Sequence, residues 1–392
     1  MRKKRKLTLL GRFVIILFIG VMFGTSFGFY YRLSTDKVEK DDNKGQKTEQ
    51  ETVINKKEEM DASLVMVGDA LIHSAIYLDA YNGRDYDFKP MLKEIKPLIK
   101  DYDLKYYNQE TILGGTELGL SNYPRFNSPY EVGDAFVDAG FNLVSLATNH
   151  TMDKGEQGVI NSLNYWHSKD NVYTAGSYLS NEDRENSIIK EINGITYSFF
   201  SYTTWTNGLE TPSGKEYLNN VYSPEKVQSD IEKVRDKVDV VIVAMHWGTE
   251  YSTSVSASQQ EIANYLSSLG VDIIIGSHPH VVEPIAFIGK TMVIYSLGNF
   301  ISDQEGVERL TGLMASIDIQ KTVENGVSKI ELRNPKAELL YTYSTYGKKR
   351  NFVVYPYTSL NDEMLPGYKD YYETYKNIVL SLDSSIEMPS LE

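Results

Sequence analysis

The stretch DIIIGSHPHVVEP, residues 272–284, runs three isoleucines into a glycine and then sets His278 and His280 on either side of Pro279. Paired imidazoles can ligate a metal ion or move a proton, since histidine changes charge near neutral pH and binds metals when neutral. Proline fixes its own φ and biases the residue before it towards extended backbone, so the two rings are expected on one side of the chain. A loop hydrogen-bond network would use the same two residues, and the pair alone does not separate these roles.

The other histidines narrow the choice. The chain has six, and His73, His150 and His246 each follow an apolar run, as does the 278/280 pair; His167 lies in the polar part of a predicted helix. The same positions carry oxygen ligands: Asp69 in VGDALIH, Asn108 and Glu110 in YYNQET, Asn149 and Asp153 around His150 in ATNHTMDKGEQG, and Glu250 after His246 in MHWGTEY. Carboxylates, an amide oxygen and imidazoles without thiolates make up a donor set for Mn, Zn or Fe, as one ion or as a pair sharing a carboxylate. Each block alone fits a helix cap or a turn. Five blocks at five strand ends point to one centre.

The elements that must position these residues follow from periodicity. Apolar runs suited to strands occur at 63–67, 103–107, 142–146, 196–202, 238–245, 271–275 and 291–296. Helical stretches are predicted at 87–100, 128–140, 223–237 and 256–270, with Ser223-Pro224 as an N-terminal cap and Gly140 and Gly270 as stops. Alternating strands and helices imply an α/β domain with a parallel or mixed sheet, whose sites form beyond the carboxyl ends of the strands. Beyond residue 306, edge strands and a closing helix around 366–382 are expected, its tyrosines packing rather than binding.

Composition limits the partners. The 392-residue chain has a net charge of −13 and no cysteine, which excludes disulfides, thiolate metal sites and a lipidated cysteine. Six basic residues and no acidic ones fall in residues 1–12, and 13–31 carry no charge, so residues 32–392 hold 34 basic against 53 acidic groups. Such a body is a poor partner for nucleic acid, whose binding needs clustered Lys and Arg. Residues 13–31 form an apolar stretch long enough to span a bilayer; with the basic tail at 1–12 kept inside, the body is expected outside the cell membrane on a single-pass anchor, the rival being a cleaved secretory signal, which has no clean small-x-small site here and also puts the body outside. Residues 32–61 are charged and poor in apolar groups, and are expected to be a disordered tether before a domain that starts at Ala62.

The motifs GD, NQE, TNHTMDKGEQG, HWGTEY, GSHPHVVEP and YSLGNF, in that order over about residues 62–303, closely resemble the capsule biosynthesis protein CapA family, also called PgsA, of the poly-γ-glutamate machinery. The resemblance implies a calcineurin-like metallophosphoesterase fold, a four-layer α/β sandwich of two mixed sheets flanked by helices, over residues 62–305, with 306–392 as an extension packed on it. It further implies Asp69, Glu110, Asn149, His246, His278 and His280 as metal ligands, and His150 facing the substrate. Asp153 beside it joins the catalytic set, with His73, Asn108 and Glu250 as additional candidates. Two departures stand out: Leu71 occupies the place of the histidine in the usual Asp-x-His block, and the bridging acid is Glu110 rather than aspartate. The implied partners are the membrane, subunits of a polymer synthase and the anionic polymer itself. Two roles are open: a metal-dependent hydrolase acting on a phosphoester or an amide, and a non-catalytic scaffold with a structural metal.

Overall fold

The computed structural model describes residues 57–186, 188–345 and 349–391. The basic tail, the apolar stretch 13–31 and most of the tether lie outside the described residues; among those described, no helix is long and apolar enough to cross a membrane. Strands β1 (Lys57–Ala70), β2 (Leu104–Asn108), β3 (Leu143–Ser145) and β4 (Tyr173–Ala175) are followed by β5 (Lys190–Ile192), β6 (Ile195–Thr203), β7 (Val240–His246) and β8 (Ile273–Ser277). Then come β9 (Ile285–Ile288), β10 (Thr291–Ile294), β11 (Asn299–Ile301), β12 (Thr311–Glu324), β13 (Val327–Tyr343) and β14 (Val353–Pro356). They form two sheets, ordered β14-β13-β12-β1-β2-β3-β4, with β11 also on β1, and β5-β6-β7-β8-β10-β9.

Both sheets are mixed: β1 to β4 run parallel, as do β6, β7, β8 and β10, while β12 to β14, β5 and β9 join antiparallel. Alternation along the strands builds the layers, because successive side chains point to opposite faces. Leu64, Met66 and Tyr106 of the first sheet meet Ile242, Ala244, Ile273 and Ile275 of the second in one shared core. Their neighbours Val65, Val67 and Tyr107 face the other way, onto helices α1 (Glu131–Ala139) and α2 (Gly155–His167). Val241, Val243 and Ile274 likewise face α3 (Pro224–Val234) and α4 (Ala257–Ser268). The result is the four-layer sandwich expected, and truncating any one of the isoleucines in β8 should cost about 2–5 kcal/mol.

Helix ends follow the sequence. The Ser223 side chain accepts from the Lys226 amide with Pro224 in the first turn, and Gly140 closes α1 at φ +104°. The stretch 87–100 is not one helix: it splits into a 3-10 turn, Lys89–Leu92, and one short turn, Lys96–Ile99, each with proline at its start. Proline is accepted at a first turn and breaks the ladder elsewhere, so two prolines seven residues apart start two turns.

The C-terminal part departs further from expectation. Residues 306–392 do not merely pack on a finished domain, since β12 pairs with β1 from Lys57↔Glu324 to Val67↔Met314 and β13 and β14 extend the sheet. That pairing also draws residues 57–61, expected in the tether, into β1. The last helix, α5 (Tyr368–Val379), buries Tyr372 and Tyr375 against the inter-sheet core as packing residues.

Candidate metal centre

The carboxyl ends of the parallel strands from both sheets converge. Asp69 stands near the end of β1, Asn108 ends β2, His246 ends β7, and His278 and His280 follow β8. Tight backbone contacts set this meeting point. A Cβ on Gly68 would lie 1.9 Å from the Gly298 carbonyl oxygen, and one on Gly276 would lie 2.0 Å from that of Tyr295. Only glycine lets the chains close in at these two places.

His278 does not adopt the extended backbone expected before Pro279, and His280 departs from it too. Both have positive φ, +97° and +60°, a conformation that costs a non-glycine residue about 1–3 kcal/mol. The turn nevertheless brings both rings to Glu110: among the described residues, Glu110, His278 and His280 each offer a ligand atom, and these lie within 4.8 Å of one another. All three are buried.

Around that trio the other residues hold the rings. The His280 Nδ1 lies 3.0 Å from the Asn299 Oδ1, leaving Nε2 3.6 Å from the Glu110 Oε1. The His246 Nδ1 lies 3.0 Å from the Ser277 Oγ, and its Nε2 is 2.9 Å from the Asn149 Oδ1 and 3.8 Å from the Glu110 Oε1. Asp69 accepts from the Asn108 Nδ2 at 2.8 Å and from the His278 amide at 3.2 Å. A second partner on the far ring nitrogen is how proteins orient metal-binding imidazoles.

Electrostatics mark the same spot as a seat for positive charge. Burial pushes the Glu110 carboxyl well above its ordinary range. Burial opposes charge on His280 as well, yet Glu110 and Asp69 together raise it to about 9. Both shifts express one need, a cation among buried carboxylates, whether a proton or a metal ion. Burial lowers His278 to about 3 and His246 well below the usual imidazole value, which keeps both neutral as metal ligands must be. Both Glu110 carboxylate oxygens, the His278 Nδ1 and the Asn108 Oδ1 are buried without a hydrogen-bond partner. Unpaired buried groups of this kind are rare and costly. An N/O donor set left open in this way fits a divalent ion.

The remaining candidates separate. His150 and Asp153 form their own pair, Nδ1 to Oδ2 at 2.7 Å, with the Phe126 amide donating to the same carboxylate oxygen at 2.6 Å. His73 is turned onto backbone, its Nδ1 3.1 Å from the Leu71 oxygen and 3.3 Å from the Asp303 amide, with its ring against the edge of Phe126. Glu250 lies exposed on a cleft that His150 also lines. Asn299 and Ser277 were not singled out by sequence; for Asn299 the signal was there, a polar residue directly after the apolar run and glycine of MVIYSLGNF.

Comparison with known proteins identifies relatives over the part of the chain that carries these residues. The capsule biosynthesis protein CapA of Bacillus anthracis is 27% identical over 273 residues, covering 66% of this chain and 64% of that one. The PGA biosynthesis protein CapA of Bacillus subtilis (strain 168) is 32% identical over 203 residues and covers 50% of each. The chain thus spans about half the length of one of these curated relatives and just under two thirds of the other. Among solved structures, the calcineurin-like phosphoesterase YfkN of Bacillus subtilis is 14% identical with a TM-score of 0.47, covering 72% of this chain and 91% of that one. The architecture itself rests on the strand order and packing described above. The model of the family described as bacterial capsule synthesis protein PGA_cap matches residues 63–304, from the strand that carries Asp69 to just past Asn299; by that match, over more than half of its length, the chain belongs to this family.

Proposed function

We propose that this chain acts in the synthesis or export of a poly-γ-glutamate capsule, held outside the cell membrane by residues 13–31 beside the subunits of a polymer synthase. Its centre holds one or two divalent ions for a hydrolase-type step on the polymer. Family membership and the names of the two CapA relatives support the pathway. The observation that carries the site is Glu110: a fully buried carboxylate with neither oxygen hydrogen-bonded, facing His246 and His280.

Glu110, His278 and His280 would hold the ion, with Asp69, Asn149 and His246 beside them. A bound divalent ion supplies Lewis acidity, polarising a substrate oxygen and acidifying a water molecule. The chain supplies the proton chemistry. Asp153 fixes the His150 ring through Nδ1, so Nε2 is the nitrogen left to take or give a proton at the substrate in the cleft. Burial of Asp153 and its bond from the Phe126 amide hold the pair in place without tying it to the ligand cluster.

A second reading, a scaffold with a structural metal, is favoured by one observation: buried Leu71 fills the place of the usual histidine, and His73 is bound to backbone instead. Replacing His150 with alanine separates the two. A catalyst should lose about a hundredfold to ten-thousandfold in rate, and with it surface or released polymer, at unchanged protein and metal content. A scaffold should make normal capsule with His150→Ala and fail when residues 13–31 are deleted.

A further inference from the structure

The cleft lined by His150 has a volume of about 380 Å³, within the range of small-ligand sites, and its walls include Tyr123, Arg125, Trp205 and Asn207. We propose that it grips a carboxylate-bearing amide chain, Arg125 binding a carboxylate and Trp205 lying against the amide planes. This rests on the reading above and assigns residues to the substrate that no motif indicated.

Charge makes a local grip necessary. The region after residue 31 carries an excess of acidic groups, so its overall field does not draw in a polyanion. Arg125 answers that locally. It is exposed on the cleft and has no acidic partner among the described residues. Arg184 and Arg235, by contrast, are held by Asp230 at 2.6 Å and Asp272 at 2.7 Å. A free guanidinium presents a planar fork that matches a carboxylate with two parallel hydrogen bonds, which a lysine does not.

The aromatic walls define what accompanies the carboxylate. Trp205 is 59% exposed and Tyr123 74%, and the Trp205 Nε1 donates to the Asn207 Oδ1 at 3.1 Å. A tryptophan face kept open beside a polar site offers flat apolar contact with a planar group such as an amide. Glu250, the carboxylate in the lining, repels a second anion and can accept an amide N–H. The lining therefore offers a cation for the carboxylate, Arg125, and an acceptor for the amide, Glu250. His150 lines the same cleft, so a ligand bound there shares it with the ring that Asp153 orients.

Trp205 also reports its own occupancy, because Trp166 and Trp247, the other two tryptophans, are buried. With the full chain in detergent micelles, a short γ-linked glutamate oligomer should protect Trp205 emission from acrylamide quenching. By calorimetry, Arg125→Gln should weaken binding about tenfold to a hundredfold, the loss of one charge-assisted pair. Arg125→Lys should recover part of it, Trp205→Phe should abolish the protection signal, and added salt should weaken the native complex. Binding by Arg125→Gln within about twofold of the native chain would overturn this assignment alone. An oligomer that fails to bind the native chain would overturn both this and the polymer reading, as would protection by inorganic phosphate but not by the oligomer.

Discussion

The candidate metal-ligand cluster around Glu110 and the cleft lined by His150 are built on opposite principles. The cluster is buried, strained and crowded: His278 and His280 sit at positive φ, the Glu110 carboxylate lacks hydrogen bonds, and glycines at 68 and 276 admit backbone at contact distance. The cleft is open, with Arg125, Trp205 and Tyr123 exposed to water. Strain and desolvation are worth maintaining where an ion must be held in one geometry, because low dielectric strengthens every charge interaction there. The polymer proposed for the cleft would enter and leave, and needs the reverse, contacts that are strong only when the ligand is present.

The sharpest way to break this contrast is to empty the cluster while leaving the fold. The double change His278→Ala, His280→Ala should remove nearly all bound transition metal by elemental analysis, with unchanged circular dichroism. Alanine keeps the Cβ, so the cost of positive φ at the two positions is unchanged and the loss is that of the imidazoles alone. Retention of full metal content would show that these imidazoles are not ligands.

Filling the close approach should be the next largest effect. Gly276→Ala puts a methyl group 2.0 Å from the Tyr295 carbonyl oxygen, so the loop or the strand must shift. Overpacking of this kind costs about 1–3 kcal/mol, and metal affinity should fall with it. A chemical-denaturation midpoint equal to that of the native chain would break the link between the close approach and the site. Arg125→Gln in the cleft should leave the midpoint unchanged, which is the other half of the contrast.

A smaller effect tests how far the buried network extends. Glu283 accepts from the Gln259 Nε2 at 2.6 Å while its Oε1 has no partner, and burial raises its carboxyl to about 7. A raised carboxyl pKa favours the protonated form in the folded state. Its contribution to stability is present in full below about 4.5 and is lost as pH rises through 7. Glu283→Gln should therefore gain about 2 kcal/mol relative to the native chain between pH 5 and pH 8. A difference that does not change with pH would mean that Glu283 is not titrating there.

The smallest expected change is at the N-terminus of α3, outside both regions. Ser223→Ala removes the hydroxyl that accepts from the Lys226 amide at 3.2 Å and should cost about 1 kcal/mol with no effect on metal content. A loss of metal in that variant would mean that the cluster is coupled to the whole fold rather than insulated from it.

Much of the fold was legible because the signals are local. The β8 isoleucines are apolar on both faces because the strand is covered on both sides, and such a run stands out in the sequence. Ser223-Pro224 and Gly140 mark helix ends through the bonding and conformational needs of one turn. The chemical types of the ligands were equally plain, since nitrogen and oxygen donors at several strand ends with no cysteine leave few alternatives.

What only the tertiary structure decided depends on pieces distant in the chain. That β12 belongs beside β1 rather than at an edge is a ladder between residues some 250 positions apart, which no periodicity encodes. Two histidines equally placed after apolar runs, His73 and His280, part company because one ring finds a backbone carbonyl two residues away and the other finds Asn299 and Glu110. The positive φ of His278 overrides the local bias that Pro279 imposes, since the long-range contacts of the loop outweigh a local preference of about a kilocalorie or two. Residue types are set one at a time along the chain, but ligand geometry is a property of several strands at once, and only their packing fixes it.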